Sequence, residues 1–302
     1  MKTTKFFFAA IVAFSLAACS DHHCCCCCGG EVEEVKLYGE FSVSANHKVR
    51  FSQGNLQRGS NGSWSFAEEQ FLYLGNSNNN DWGGYTHDLF GFGQTGYQPA
   101  LFVEPASISA SDYGGYNVVT KTYSNIDGTN WDWGIRHGIT NGGNVPGMWR
   151  TLSSSEWDYL LNKRPNAENL RCRAMVAGRR GLLILADNYK HPGGVEAIDP
   201  EQTYVVGKNT YCYTDWKKME AGGAIFLPCA GVQNNFAATS DKKRVYEPEM
   251  SGYYWTTTLS SSGYSKCVQF GYEAGQQKDL NVAISECLRY YRCAVRLVQE
   301  VR

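Results

Sequence analysis

Tyr253-Tyr254-Trp255-Thr256-Thr257, then Lys266-Cys267-Val268-Gln269-Phe270, then Cys293-Ala294-Val295-Arg296-Leu297-Val298 are the runs that decide the fold class. They are dense in β-branched and aromatic side chains, so the C-terminal third reads as three strands. Upstream, Ala224-Ile225-Phe226-Leu227-Pro228 reads as another buried strand, and Asp215-Trp216-Lys217-Lys218-Met219-Glu220 as a short helix. Arg173 to Ala186 reads as a hairpin around Gly178-Arg179-Arg180-Gly181, with Leu182-Leu183-Ile184-Leu185 as its buried arm. Ser153 and Glu156 have capping-box spacing, which starts a second helix. Trp157, Leu160 and Leu161 then form its core-facing stripe, and Pro165 ends it. Towards the N-terminus, Val35 to Gln57 alternates about the polar turn Ala45-Asn46-His47-Lys48 and reads as a hairpin, and Ser63-Trp64-Ser65-Phe66 continues the strand signal. Between Gly75 and Gly147 no period is sustained; that stretch reads as long loops stapled by their own Trp and Tyr.

Composition agrees with this reading. The chain has 302 residues, with 32 Gly, 19 Tyr, 14 Phe and 8 Trp, a mixture suited to short strands and tight turns and not to a helical bundle. With 28 Lys and Arg against 29 Asp and Glu, the net charge is 28 − 29 = −1, and no basic field exists to grip a phosphate backbone. Nucleic acid is therefore not the expected partner. The 43% hydrophobic content is that of a globular chain. The fold class expected is α+β, mostly short antiparallel strands with two short helices and long loops, in a single domain over 35–302.

The N-terminus carries a separate message. Met1-Lys2-Thr3-Thr4-Lys5 is basic, Phe6 to Ala13 is apolar, and Leu16-Ala17-Ala18-Cys19 closes with small residues, the three-part pattern of a secretory signal over 1–18. Leu16-Ala17-Ala18-Cys19 also resembles the bacterial lipobox, which implies that Cys19 is the lipid anchor and that the membrane is a partner through it. Residues 19–34, with five consecutive cysteines from Cys24 to Cys28, read as a low-complexity Cys-rich tether, since adjacent thiols cannot converge on one tetrahedral ion. Asp21 after the anchor resembles the surface-export signal of Bacteroidota lipoproteins. The expected location is the cell envelope, as an outer-membrane lipoprotein facing the surface.

Several motifs in order, Phe51-Ser52-Gln53-Gly54-Asn55-Leu56-Gln57, Leu89-Phe90-Gly91-Phe92-Gly93, Trp149-Arg150-Thr151-Leu152, Gly223-Ala224-Ile225-Phe226-Leu227-Pro228, Gly252-Tyr253-Tyr254-Trp255 and Val295-Arg296-Leu297-Val298, together resemble the C-type-lectin-like and formylglycine-generating-enzyme-like fold. The form is that of Bacteroidota surface lipoproteins, including the Fibrobacter succinogenes major paralogous domain. The resemblance implies a C-type-lectin-like fold and says little about activity, because function is set by sites grafted on a fold.

Calcium-dependent sugar binding needs clustered oxygen ligands, and the nearest motif, Glu247-Pro248-Glu249, lacks its partner and reads as a solvated loop. Formylglycine-generating chemistry needs a redox-competent cysteine pair. Cys287 and Cys293 are close in sequence, but Cys293 reads as part of the last strand, whereas the resemblance puts catalytic cysteines ahead of it. Cys172, Cys212, Cys229, Cys267, Cys287 and Cys293 read as structural bridges or buried thiols of undetermined pairing. His47, His87, His137 and His191 are isolated, and Gly91-Phe92-Gly93 and Gly142-Gly143 read as turns. No enzyme, metal or cofactor is expected.

A binding module remains, whose Tyr and Arg side chains give large contact area at modest ordering cost. The ligand-binding residues expected are Tyr264, Lys266, Gln269, Tyr272, Arg289, Tyr290, Tyr291 and Arg292, on C-terminal loops, with Trp82, Trp131 and Trp133 as second contributors. Their expected role is recognition or adhesion, taking a glycan or protein ligand without calcium. The alternatives are a structural subunit of a surface assembly, a retroelement-diversified binding protein, and a divergent formylglycine-generating-type enzyme.

Overall fold

Ala177 and Gly178 both take positive φ, 48° and 80°. This is the backbone of a two-residue hairpin turn, whose twist matches that of the strands it joins. The flanking chain therefore pairs from Val176↔Arg179 to Arg171↔Ile184. The expected hairpin is present, but its turn lies at Ala177-Gly178, and Arg179, Arg180 and Gly181 belong to the second strand.

The computed structural model describes residues 39–79, 86–94, 114–117, 119–201, 208–233, 245–261, 263–271 and 282–301. Residues 1–38, with Cys19 and the five-cysteine run, lie outside these, as do Trp82 and Tyr272. In chain order the first elements are β1 (Phe41–Ser44), β2 (His47–Phe51), β3 (Leu56–Arg58), β4 (Trp64–Phe66), β5 (Tyr116–Asn117) and β6 (Thr122–Tyr123). Next come α1 (Trp133–Arg136), β7 (Arg150–Thr151), α2 (Ser154–Asp158), β8 (Arg171–Val176), β9 (Arg179–Leu185), β10 (Thr210–Tyr211), α3 (Tyr213–Ala221) and β11 (Ala224–Pro228). The last are β12 (Val232–Gln233), β13 (Val245–Tyr246), β14 (Ser251–Ser261), β15 (Tyr264–Gly271), β16 (Ala283–Leu288) and β17 (Leu297–Glu300). The structure is mostly short antiparallel strands with few helices; only the β8 to β10 pair is parallel among those strand pairs described.

The main sheets run β1-β2-β17-β7, β10-β8-β9-β11 and β14-β15-β16. At α2 the Ser153 side chain accepts the Glu156 N–H, and Glu156 Oε2 accepts the Ser153 N–H at 2.8 Å, completing the expected capping box. Trp157, Leu160 and Leu161 are buried as the stripe requires, with Trp157 5.5 Å from Phe51.

Two strand assignments change. Residues 283–288 form β16, with Lys266 opposite Glu286 and Ser265 opposite Cys287, although the sequence shows no apolar run there. Conversely, Cys293 and Ala294 are not in the terminal strand; each makes a single bridge, to Phe90 and Tyr254. Here the chain crosses between sheets: the Ala294 N–H donates to Tyr253 O at 2.9 Å and the Leu56 N–H to Val295 O at 2.9 Å, before β17 joins β2.

Arg296 lies at this crossing, 1% exposed. Its Nη1 donates to Asn55 Oδ1 at 3.4 Å and its Nη2 to Gln70 Oε1. Gln70 Nε2 donates in turn to Glu220 Oε1 at 2.8 Å, and Lys217 closes the chain on Glu220 at 2.6 Å. Burial pushes the Arg296 pKa down to about 10, still charged at neutral pH.

Among the described residues, Asp88 is, with Asp132, one of two buried carboxyls whose pKa burial raises from 3.8 to about 6. It accepts from the Leu74 N–H and from Asn78 Nδ2, both at 2.7 Å, yet burial outweighs these bonds and raises its pKa from 3.8 to about 6. The folded state thus holds the proton more tightly than the unfolded one, and the group's contribution to stability falls as pH rises from about 4 to about 6. That difference between the two states corresponds to about 3 kcal/mol. Asp88→Asn, whatever its fixed cost, is therefore expected to gain about 3 kcal/mol relative to the parent between pH 4 and pH 7. Paired urea titrations at the two pH values read this difference; a pH-independent difference would contradict it.

Candidate functional site

Two turns meet at one end of the β14-β15-β16 sheet. One is the tip of the β14–β15 hairpin, where Ser261 faces Tyr264, and the other is the segment 289–292 that follows β16. The Arg289 N–H donates to Gly263 O at 3.1 Å and binds them together, while the Phe92 N–H donates to Arg289 O at 3.0 Å from behind. The Arg289 guanidinium stacks 3.9 Å from the centre of the Tyr123 ring, which packs on Tyr116 at 4.9 Å. Cation–π contact of this kind fixes the backbone of the turn.

Tyr290 and Tyr291 meet edge to face at 5.4 Å, and both lie near Tyr264, which is 41% exposed. Burial and the neighbouring phenols raise the pKa of Tyr290 and Tyr291, so both remain hydroxyl donors at neutral pH. The structure thus brings together Tyr264, Arg289, Tyr290 and Tyr291 from the expected set. It adds Tyr116 and Tyr123, which no local sequence pattern connects to them.

The other expected residues sit elsewhere. Lys266 and Gln269 are on a strand, not a loop, and strand alternation sends them to opposite faces. Lys266 pairs with Glu286 at 2.9 Å, and Gln269 Nε2 donates to the Tyr253 hydroxyl at 3.1 Å. Arg289 and Arg292 are buried, at 6% and 2% exposed. Arg292 donates to Gln233 Oε1 at 3.1 Å and exchanges both backbone bonds with that residue, which makes it a brace for the turn. Trp133 is fully buried, its indole N–H on Gln94 O at 2.7 Å, so it presents no stacking surface; Trp131 is partly buried against the same cluster.

Glu247-Pro248-Glu249 lies in a turn with Glu247 exposed, and Glu249 is held by neighbouring donors. Glu249 accepts from Arg179 at 2.6 Å, from the Arg180 N–H at 3.1 Å and from the Tyr73 hydroxyl, and these donors occupy the oxygens a cation would need. The histidines are dispersed: His47 pairs with Glu300, His137 stacks on Trp64 at 4.6 Å, and His191 bonds to Val195 O at 2.8 Å. His87 is buried, and burial with nearby Arg292 and Arg58 lowers its pKa to about 4, leaving it neutral. Among the described residues, no group of three or more metal-ligating side chains is arranged to hold an ion, and no helix is long and apolar enough to cross a membrane.

Beneath the tyrosines lie Cys267, Cys287 and Cys293, all free and buried. Cys293 stands ahead of the terminal strand, so its position does not separate this chain from the formylglycine-generating pattern as the sequence reading expected. A further cleft, of about 580 Å³, opens between Val145-Pro146-Gly147-Met148 and the β2 and β17 residues Arg50, Gln299 and Glu300. Its charges are engaged, Arg50 by Glu40 and Glu300 by Arg150 and His47.

No protein-family model, curated protein or solved structure matches the chain.

Proposed function

We propose that this protein is a lipid-anchored recognition or adhesion protein of the cell envelope, with a C-type-lectin-like fold, that binds a glycan or protein without calcium. Cys19 is the anchor in this reading, and the outer membrane facing the surface is the location. The observation that carries it is the convergence of Tyr264, Tyr290 and Tyr291 at one end of the sheet, on a turn fastened by Arg289 and Arg292. Tyrosines on a pre-ordered turn supply stacking area and hydroxyl donors at little entropic cost, and need no metal. The buried arginines act by positioning the turn; Tyr264 is exposed, and Tyr290 and Tyr291 are half-buried beside it.

The test is binding to immobilised glycans and surface proteins. Tyr264→Ala, Tyr290→Ala and Tyr291→Ala are each expected to weaken the ligand found by about tenfold or more, the scale of an interface hot spot. The corresponding Phe variants keep the stacking face and lose less. Unchanged affinity in all three Ala variants would move the site elsewhere, and failure to capture any ligand would favour a structural subunit.

A further inference from the structure

Two bonds fix which way the backbone of β16 faces. The Arg289 N–H, just past its end, donates to Gly263 O, so Arg289 faces β15; along an antiparallel ladder such residues alternate with ones that face away. Cys287, Ser285 and Ala283 therefore turn their N–H and C=O groups to β15, and Ile284, Glu286 and Leu288 turn theirs outward. Trp255 gives the same answer from across the sheet. Its N–H donates to Ala294 O at 3.0 Å, away from β15, so its partner Cys267 turns its own groups to Ser285. β16 is the last strand of the β14-β15-β16 sheet, and among the described residues its outward groups receive one bond, from the Tyr291 N–H to Leu288 O at 2.9 Å.

We infer that this edge takes an extended segment of a partner protein as a further antiparallel strand, whose side chains opposite Ile284, Glu286 and Leu288 are apolar, basic and apolar. The added strand runs along the edge to the turn that carries Tyr290 and Tyr291. The inference rests on the recognition reading of that turn and narrows its ligand to a polypeptide.

Period and charge select this occupant. The outward donor and acceptor recur every second residue, about 7 Å apart, a repeat that the backbone of another strand matches. Ile284, Glu286 and Leu288 share one face by strand alternation, with Ile284 packed on the core and Glu286 exposed. Both bonds to the Glu286 carboxylate, from Lys266 Nζ at 2.9 Å and from the Ser260 hydroxyl, end on Oε1, which leaves Oε2 for a cation on the incoming strand. A second copy of the chain is a poor match. The antiparallel register that sets Ile284 against Leu288 sets Glu286 against Glu286, like charges directly opposite, and the neighbouring registers set Glu286 against Ile284 or Leu288.

The test is calorimetric titration of the full chain with a capped peptide in which threonine alternates with valine, lysine and valine. Saturable binding is expected, weakened about tenfold or more by Ile284→Pro, which removes an outward N–H and no bond to β15. Glu286→Lys should weaken the lysine peptide about threefold and favour its glutamate counterpart. No saturable binding, binding indifferent to Ile284→Pro, or equal binding of the lysine and glutamate peptides to the parent overturns the inference. So does dimerisation of the parent that Ile284→Pro abolishes, which assigns the edge to a second copy. Peptide binding lost in Ile284→Pro but kept in the combined Tyr264→Ala, Tyr290→Ala, Tyr291→Ala variant upholds the edge and removes the tyrosine surface. A captured ligand lost in the tyrosine variant and indifferent to Ile284→Pro upholds the recognition reading and overturns this one. If Ile284→Pro does not fold, Glu286→Lys decides.

Discussion

Replacing Arg296 with alanine is expected to lower folding stability by about 3–5 kcal/mol, because the change removes a buried side chain and strands the groups it serves. Asn55 Oδ1 loses its donor, and Gln70 Oε1 keeps only the Phe226 N–H at 2.9 Å. Natural domains hold only about 5–15 kcal/mol in total, so a loss of this size is a large share of the fold's margin. Arg296→Met separates the causes: it refills the volume and removes a buried charge but leaves Asn55 Oδ1 without its donor, so it should recover part of the loss and not all of it. Denaturant midpoints at unchanged slope measure both. A cost below about 1 kcal/mol for the alanine variant would mean that the crossing is not held by this network.

Trp255→Ala is expected to cost about 3–5 kcal/mol as well, through a different mechanism. The ring is 1% exposed, packs edge to face on Phe92 at 5.5 Å, and donates its indole N–H to Phe90 O at 2.6 Å. It stands opposite Cys267 on the neighbouring strand, so its removal opens a cavity beside the thiol group. Trp255→Phe retains much of the volume and loses the hydrogen bond, and should cost about 1–2 kcal/mol. Equal costs for the two variants, read by the same denaturant titrations, would show that packing contributes little here.

What the sequence made legible was local. Ser153 with Glu156 announces a helix start because both capping partners lie within one turn, and Gly178 announces a hairpin because it tolerates positive φ. The strand at 283–288 was missed because its order comes from pairing with β15, not from any apolar run of its own. Arg289 and Arg292 read as surface side chains, the usual place for a charge, until Tyr123 and Gln233 appear as their remote partners. Arg296 is the same lesson where the chain crosses between sheets: nothing near it in sequence marks Asn55 and Gln70 as its acceptors. Of the site, the tyrosines were legible from composition, and their fastening was not.

The most direct test of the recognition reading is capture of glycans and surface proteins by residues 31–302, with and without a calcium chelator, alongside the combined Tyr264→Ala, Tyr290→Ala, Tyr291→Ala variant. The account predicts a specific ligand whose binding is unchanged by the chelator and lost in the variant. A ligand lost with the chelator and retained by the variant would contradict it.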